Sequence, residues 1–372
     1  MAYWAARVLP QRRRVVLATS HATAIGGNLA FIRDELDRRS PKIPYKVLAY
    51  RAPKARTHRW RVAIQCMRAG YNLATARVFV VDDYFFPIYV VPPRKGITIV
   101  QTWHASGAFK KIGWSVLDKT FGADEELAER IDLHSNYDVC LMASKKAVVH
   151  YADAFHQPVE RFRTDIGIPR TDVLFGDEQI ARISAELRAK YHLPEGKRVV
   201  LYAPTFRGTA VHRAFAPNNL DLTELHRALG DDHVVLLRLH PFVREGAPIP
   251  PGLEGFAIDV SDHPDIHELM HVSDVLVTDY SSAIFEWSLL GRPMAFYAPD
   301  YSDYDGERGF YFDFRTGVPG PIFETTAELA AWLRAGRFDL ERVAAFRAES
   351  FEVADGHASE RFVDQIVLPA LG

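Results

Sequence analysis

DVLVTDYSSAIFEWSLLGRPMAFY, residues 274–297, contains a complete strand, helix and strand in one short stretch. The apolar runs at 274–279 and 293–299 predict buried strands, and the apolar positions of 281–290 follow the spacing of a helix. Strands with such continuous apolar sequence are typical of a parallel sheet covered on both faces. This stretch therefore predicts an α/β fold.

The same alternation extends along most of the chain. Five strands are predicted in the first part, at 14–20, 46–50, 77–82, 97–102 and 137–144. Five more follow, at 198–204, 233–240, 256–260, 274–279 and 293–299. Helical patterns separate them, at 27–39, 60–70, 144–154, 177–190, 221–229, 265–271, 281–290 and 325–335. Two such series predict two Rossmann-like, doubly wound domains that face a cleft.

The 372 residues suit two domains of ordinary size. Gly, Pro and polar residues interrupt the pattern within 165–178, which gives a first domain at 1–170 and a second at 171–345. The helices expected in 346–372 are predicted to cross back to the first domain. Functional residues should follow the strand ends, because ligands of open α/β sheets bind beyond the carboxyl ends of the strands.

Charge is distributed unevenly along the chain. Residues 1–81 contain 16 Lys and Arg against 3 Asp and Glu, although the whole chain has a net charge of −2. Such a basic first domain predicts an anionic partner, and a solvated basic face is the alternative. No apolar run approaches the length of a membrane span, and no signal peptide is recognisable. We expect a cytoplasmic protein, with Cys66 and Cys140 as reduced thiols.

The first fourteen residues, MAYWAARVLPQRRR, combine apolar and basic side chains. Tyr3 and Trp4 are interfacial aromatic residues, and Arg12 to Arg14 supply positive charge. This combination favours anionic lipid headgroups, so the segment predicts peripheral binding to the inner face of the membrane. A frayed basic tail before the first strand is the alternative.

A phosphate site is predicted where the strand at 274–279 meets its helix. Thr278, Tyr280, Ser281 and Ser282 lie at this junction, and they are the candidate ligands of a donor phosphate. Hydroxyl groups and free backbone N–H groups at a helix N-terminus attract phosphate. An ordinary Ser N-cap has the same sequence signature.

Three other strand ends carry candidate donor ligands. His240 follows the strand at 233–240 directly, where an imidazole can contact a phosphate or carry a proton, although surface histidines are common there. Thr205 and Arg207 follow another strand, and Arg207 suits either a phosphate or a loop salt bridge. Arg308 lies in an aromatic loop that could reach a diphosphate or form a small local core.

The first domain has its own candidate site in QTWHASGAFKKIG, residues 101–113. His104 follows a predicted strand, and small residues beside it leave room for a substrate, so it is the candidate general base. Ser106, Lys110 and Lys111 are the candidate acceptor ligands, with a solvated basic turn as the alternative for the lysines. A base in one domain and phosphate ligands in the other predict a transfer reaction in the cleft.

Several other chemistries lack their motifs. The chain contains no G-x-G-x-x-G after its first strand, no Walker motif, no H-E-x-x-H and no G-x-S-x-G. The histidines show no metal-ligand spacing. We therefore expect no required cofactor, metal catalysis is not indicated, and dependence on a divalent metal stays open.

Seven motifs, taken in order, resemble those of the CDP-glycerol glycerophosphotransferase family, the teichoic acid primases and polymerases. They are QTWHASGAFKKIG (101–113), IGIPRTDVLF (166–175), LYAPTFR (201–207), LRLHP (237–241), VTDYSSAIFEWSLLGRPMAFY (277–297), RGFYFDF (308–314) and DGHASER (355–361). The resemblance implies a glycosyltransferase-B-type fold with the CDP-alditol donor on the second domain. It also implies that His104 and His240 are the family's motif histidines, and that Ser281 and Ser282 form its donor-phosphate turn.

The form WHASGAFKKIG is closer to the short primases than to the polymerases. The resemblance thus implies transfer of glycerol phosphate from CDP-glycerol to an undecaprenyl-diphosphate-linked disaccharide, with release of CMP. No nucleic acid partner is expected. Three alternatives stay open: a polymerase or other CDP-alditol transferase, a UDP-sugar glycosyltransferase or epimerase, and a membrane-associated binding protein without turnover.

Overall fold

The computed structural model of the chain describes residues 1–51, 59–116, 130–208, 214–217, 220–243, 246–302, 304 and 309–372. The described residues form two six-stranded sheets in which all neighbouring strands are parallel. We call the part built on the first sheet the first domain and the part built on the second sheet the second domain.

The first sheet contains β1 (Arg12–Thr19), β2 (Tyr45–Ala49), β3 (Ala76–Val81), β4 (Thr98–Gln101), β5 (Val139–Leu141) and β6 (Phe162–Arg163). The second contains β7 (Arg198–Ala203), β8 (His233–Leu237), β9 (Ala257–Asp259), β10 (Val275–Thr278), β11 (Met294–Tyr297) and β12 (Ile322–Phe323). Their central strands are buried on both faces, because helices cover both sides of each sheet.

The helices are α1 (Ala2–Ala6), α2 (Gly27–Arg38), α3 (Arg59–Thr75), α4 (Phe86–Tyr89), α5 (Lys145–Phe155), α6 (Asp177–Lys190), α7 (Leu222–Leu229), α8 (Ile266–Val272), α9 (Ala283–Leu289), α10 (Phe314–Gly317), α11 (Thr326–Ala335), α12 (Leu340–Ser350), α13 (Ala358–Phe362) and α14 (Leu368–Leu371). Short 3₁₀ segments occur at Gly113–Val116, Val159–Arg161 and Pro169–Leu174, and a π-helical turn at Val363–Val367 joins α13 to α14.

The strand order is β2-β1-β3-β4-β5-β6 in the first sheet and β12-β11-β10-β7-β8-β9 in the second. The second order is that of a Rossmann domain, and both orders reverse next to the first strand of the domain. The switch points lie between β1 and β3 and between β7 and β10, which is where doubly wound sheets bind ligands. The prediction of two Rossmann-like domains is confirmed.

The elements that the sequence did not predict are short. β6 and β12 contain two residues each, too few for a periodic pattern, and α1 contains five. α1 packs against α3, where Gly70 brings the two backbones together: a Cβ at Gly70 would lie 3.2 Å from the Tyr3 nitrogen. Tyr3 is therefore buried in the first domain, and its predicted place at a lipid surface is wrong.

The two domains share one hydrophobic core at their boundary. Phe109 of the first domain inserts its ring among second-domain aromatic residues, 5.3 Å from Phe310 and 5.4 Å from Phe312 between ring centroids. Beside it, Lys110 pairs with Phe310 in an antiparallel bridge. These contacts fix the loop after β4 against the second domain.

The C-terminal helices pack against the first domain. α14 contacts β3, and α13 contacts α2. Arg39 of the first domain forms an ion pair with Asp364 at 2.7 Å and donates to the carbonyl oxygen of Glu360 at 3.3 Å. The chain thus passes through the second domain and returns to the first.

Candidate active site

The unusual residues of both domains follow the carboxyl ends of strands at the two switch points or of the strands beside them. In the first domain, His21 follows β1, Asp82 and Asp83 follow β3, and His104 follows β4. Because neighbouring parallel strands end at the same edge of a sheet, these side chains meet there. Only His104 of this group was predicted from the sequence.

His104 is half-exposed at the edge of the sheet. The preceding residue, Trp103, has a left-handed backbone conformation with φ of 53°, and its ring stacks on the imidazole at 4.4 Å between centroids. His104 Nδ1 lies 3.4 Å from the carbonyl oxygen of Asp82 and 3.8 Å from the carboxylate of Asp83. With 51% of its side chain exposed, the ring is open to a substrate.

The surroundings of the His104 ring favour the neutral imidazole. The protein that surrounds His104 lowers its pKa by desolvation, Asp83 opposes this effect, and Arg170 and His21 add to it. The pKa of His104 therefore lies below the ordinary value of 6.5. A neutral imidazole at pH 7 is able to accept a proton, as a general base must.

Two carboxylates and a second histidine complete this cluster. His21 Nδ1 lies 3.4 Å from Asp83 and 3.8 Å from Asp82, and 3.0 Å from the Thr19 hydroxyl. Burial raises the pKa of Asp82 to about 6, against the nearby charge of His21. A sequence signal existed for these residues, since SHA after β1 and DDY after β3 lie at strand ends as His104 does.

Replacing Asp82 with Asn is expected to stabilise the protein at pH 8. The folded-state pKa of Asp82 is about 6 and its ordinary value is 3.8, so the ionised carboxylate destabilises the fold at high pH. Thermal unfolding of Asp82→Asn should give a Tm a few degrees above wild type at pH 8, and the difference should shrink as the pH falls from 6 towards 4. An equal or lower Tm at pH 8 contradicts this reading of Asp82.

In the second domain, a buried network joins the ends of β7, β10 and β11. Asp279 is 1% exposed and accepts hydrogen bonds from the Thr205 N–H group at 2.8 Å and from its hydroxyl at 3.0 Å. Arg207 donates to Asp279 at 2.9 Å and to Asp300 at 2.5 and 3.0 Å. The salt bridge, given above as the alternative for Arg207, is the arrangement observed.

The network also accounts for Tyr280 and Thr278. Tyr280 is buried, stacks on Tyr304 at 4.0 Å and donates to Asp300 at 3.0 Å. Thr278 is buried and donates to the carbonyl oxygen of Ala203 at 2.6 Å. The expected contact of these two side chains with a donor phosphate is corrected here: with Thr205, they support the strand ends from inside.

Ser281, Ser282 and His240 are the accessible members of the predicted donor site. Both serines are half-buried just before α9, and Ser281 Oγ accepts a hydrogen bond from the Ala283 N–H group at 3.2 Å. His240 packs against the ring of Phe242 at 4.6 Å, and its Nδ1 accepts from the backbone N–H group of that residue at 3.2 Å.

A polar pocket of about 450 Å³ opens beside His240. It is lined by the ends of β8 and β9, among them Arg238, Ser261 and His263. Arg238 and His263 are more than nine-tenths buried, and each has a ring or guanidinium nitrogen without a hydrogen-bond partner among the described residues. The volume lies in the range of small-molecule sites.

The predicted acceptor ligands occupy three different environments. Ser106 is fully buried and donates to Glu286 of the second domain at 2.8 Å, so its expected contact with an acceptor is corrected. Lys110 Nζ lies 5.2 Å from the centre of the Tyr304 ring, and the Lys111 N–H group donates to the Gly309 carbonyl oxygen at 3.2 Å. Both lysines are half-buried where the domains meet.

One predicted donor ligand, Arg308, lies outside the described residues. Within the part of the chain that the structure describes, no three His, Cys, Asp or Glu side chains group as metal ligands. No helix among the same residues combines the length and the apolar character needed to cross a membrane.

Comparison with known proteins agrees with this fold and with the motifs. The family model of CDP-Glycerol:Poly(glycerophosphate) glycerophosphotransferase matches residues 1–368. The teichoic acid ribitol-phosphate primase of Bacillus spizizenii is 39% identical over 96% of this chain and 91% of its own length. The teichoic acid glycerol-phosphate transferase of Staphylococcus aureus is 33% identical over 72% of this chain and 71% of its own.

The structure of the wall teichoic acid polymerase TagF superposes on the whole chain. Its TM-score is 0.80 at 25% identity, with 100% of this chain and 93% of that chain covered. The resemblance inferred from the seven motifs is thereby confirmed. A family model that matches all but the last four residues leads to one conclusion: the chain belongs to the CDP-glycerol:poly(glycerophosphate) glycerophosphotransferase family.

Proposed function

We propose that the protein transfers an alditol phosphate from a CDP-alditol to a hydroxyl group of an undecaprenyl-diphosphate-linked disaccharide, releasing CMP in wall teichoic acid synthesis. The observation that carries this proposal is the placing of His104. Its ring is half-exposed beside Asp83, and its loop is bound to the helix that follows Ser281 and Ser282. This contact between the His104 loop and the helix after Ser281 and Ser282 supports the proposal.

In the proposed reaction, an acceptor hydroxyl oxygen attacks the β-phosphorus of the donor. A new oxygen–phosphorus bond forms, the bond from the β-phosphorus to the bridging oxygen breaks, and CMP leaves with that oxygen. His104 takes the hydroxyl proton. Ser281, Ser282 and His240 contact the donor phosphates, where stabilisation of charge contributes most to phosphoryl transfer.

Glycerol and ribitol are the two alditols to compare. The family description favours glycerol, whereas the 39% identical relative is a ribitol-phosphate primase. The test supplies wild-type protein with a lipid-disaccharide analogue and an equimolar mixture of CDP-glycerol, CDP-ribitol and UDP-sugars. Mass spectrometry of the product identifies the donor and the number of units added.

One added alditol phosphate with release of CMP is the expected result. Several added units would indicate a polymerase instead of a primase. Transfer from a UDP-sugar alone overturns the proposed donor, and binding without any CMP release favours the non-catalytic alternative.

His240→Ala is expected to weaken donor binding by about tenfold while the fold stays intact, because one charge-assisted phosphate contact is lost. Calorimetric titration with the CDP-alditol measures the change. His226→Ala is the matched control, since His226 is exposed on α7 and unconnected with the pocket. Unchanged donor affinity in a folded His240→Ala protein contradicts the role proposed for His240.

We further propose that the α1–α3 face contacts an anionic membrane surface. Trp4 on α1 and Trp60 on α3 are 54% and 58% exposed, and Arg7, Arg12 and Arg13 are exposed beside α1. Exposed tryptophans and arginines on adjoining helices suit the headgroup region of an anionic bilayer.

Replacing both Trp4 and Trp60 with Ser is expected to weaken vesicle binding by about tenfold or more, because two large interfacial side chains are lost. Co-sedimentation with phosphatidylglycerol-containing vesicles measures binding, and added salt should weaken it further. Leu340→Ser, which removes a 46% exposed apolar side chain from the second domain, is the control. Equal binding by all three proteins excludes this face as the membrane contact.

A further inference from the structure

The loop that carries His104 is held by polar side chains from three other parts of the chain. Asn28 on α2 is 3% exposed, and its side-chain N–H groups donate to the carbonyl oxygens of Thr102 at 3.1 Å and Trp103 at 2.9 Å. Arg170 donates to the carbonyl oxygen of His104 at 2.7 Å. Three successive carbonyl groups therefore each have a fixed donor.

The conformation of this loop needs such support. Trp103 adopts a left-handed backbone conformation, which a bulky residue rarely does without being held there. Its N–H group donates to the Gln101 side chain at 2.8 Å, and its carbonyl oxygen accepts from Asn28. Both backbone groups of the strained residue are thus fixed, which sets the direction in which the chain enters His104.

The same donors are joined to one another. The backbone N–H group of Arg170 donates to the Asn28 side-chain oxygen at 3.0 Å, so the two residues that hold the loop are also bonded to each other. The Arg170 guanidinium, which donates to the His104 carbonyl oxygen through one terminal nitrogen, forms an ion pair with Glu286 of α9 through the other. Glu286 has no exposed surface, and the same oxygen accepts from Ser106 at 2.8 Å.

We propose that Asn28, Arg170 and Glu286 are positioning residues that hold His104 in its place for proton transfer and fix it relative to the donor-binding helix. This inference rests on the proposed function of His104. Glu286 lies one helical turn after Ser282, and Ser106 lies two residues after His104. The cluster therefore joins the base loop to the phosphate-side helix across the domain boundary.

The close packing of the two segments supports this assignment. A Cβ at Gly107 would lie 2.3 Å from the Phe285 ring, so only glycine allows the base loop to lie so close to α9. The negative charge of the buried Glu286 carboxylate is balanced by the Arg170 guanidinium. Burial alone would raise its pKa, but Arg170 and His267 outweigh burial, and the pKa of Glu286 lies below its ordinary value.

Arg170 has a second effect on His104 that a merely structural role would not have. The groups that face His104 are Asp82 and Asp83 after β3, His21 after β1, and Arg170. Among them, the positive charge of Arg170 lowers the pKa of His104. Changing the geometry and changing the charge at residue 170 should therefore have separable results.

Arg170→Lys keeps the charge but is unable to donate to the His104 carbonyl oxygen and Glu286 in the same forked geometry. We expect kcat to fall by about 10- to 100-fold, because small displacements of a reacting group are costly, while KM for the CDP-alditol stays within about twofold. The acid limb of the pH profile should not move. Asn28→Ala should give the same split between kcat and KM.

Removing the charge tests the second effect. Arg170→Met alone leaves Glu286 buried without a counter-charge, so the double variant Arg170→Met with Glu286→Gln is used to preserve folding. Its acid limb in kcat/KM should move to higher pH than that of Arg170→Lys. Arg163→Lys is the control, because the Arg163 guanidinium binds Asp165 and Gln365 at the surface, away from His104.

A readout without turnover separates this inference from the proposed function. Diethylpyrocarbonate modification of His104, followed by mass spectrometry, should proceed at a several-fold different rate in Arg170→Lys and Asn28→Ala than in wild type and Arg163→Lys. Unchanged modification and unchanged kcat in folded variants overturn the positioning role. If wild type releases no CMP while the modification rates differ, the cluster holds the loop and the proposed reaction is wrong.

Discussion

Replacing His104 with alanine is expected to lower kcat for CMP release by about 10²- to 10⁴-fold, the usual contribution of a general base. The imidazole is half-exposed at the end of β4, and the protein around it keeps its pKa below the ordinary value. Steady-state kinetics with a lipid-disaccharide analogue measures the loss.

Two controls make this result specific to proton transfer. The affinity for the CDP-alditol should stay within about twofold, because the donor is proposed to bind on the second domain. His226→Ala should retain full activity. In wild type, activity should be lost as the pH falls through the lowered pKa of His104, below 6.5. Retention of most activity in His104→Ala rules out its role as base.

Replacing Arg207 with methionine is expected to destabilise the protein by about 3–5 kcal/mol, because it leaves a buried carboxylate without its counter-charge. Asp279 is 1% exposed, and it is bound by Arg207 and Thr205. Although burial alone would lower the pKa of Arg207, its two acidic partners raise it above the ordinary value. Urea denaturation monitored by tryptophan fluorescence measures the loss.

The pH dependence of stability has a defined sign at this site. Burial opposes ionisation of Asp300, but Arg207 outweighs it, and the pKa of Asp300 lies below 3.8. Its stabilising contribution is thus present above the ordinary pKa and is lost as the pH falls through the folded-state pKa.

Arg315→Met, at an exposed arginine nearby, is the control for Arg207→Met and should lower the free energy of unfolding only slightly. Wild-type stability with impaired donor binding in Arg207→Met would make Arg207 a ligand instead.

The sequence allowed the fold to be predicted because its strands are continuous and its helices amphipathic. Ten of the twelve strands among the described residues are long enough to give a pattern, and the rule that ligands bind at strand ends led to the candidate site. The two-residue strands β6 and β12 depend on pairing with a neighbour. Pairing of that kind has no local signature.

The site was predictable only as a set of positions along the chain. The sequence places Ser106 and Tyr280 beside reactive residues, but whether a side chain faces the cleft or the interior depends on the partner across the fold. Ser106 faces inward because its hydroxyl donates to Glu286. Glu286 lies 180 residues later in the chain, so no local pattern around Ser106 reveals this partner. His21 and Asp83 follow the same strand-end rule, yet they come together with His104 only once β1, β3 and β4 are side by side.

The return of residues 351–372 to the first domain has a consequence for synthesis on the ribosome. Phe362, Val363 and Val367 belong to the same hydrophobic core as Val15 and Leu17, although the whole second domain lies between them in sequence. All six strands of the second sheet lie between residues 198 and 323, so this sheet is complete in sequence before the last helices are translated. The first domain must wait, with part of its core uncovered, until the helices after residue 357 have been translated. A nascent chain is therefore exposed longest to chaperones and proteases in its N-terminal half.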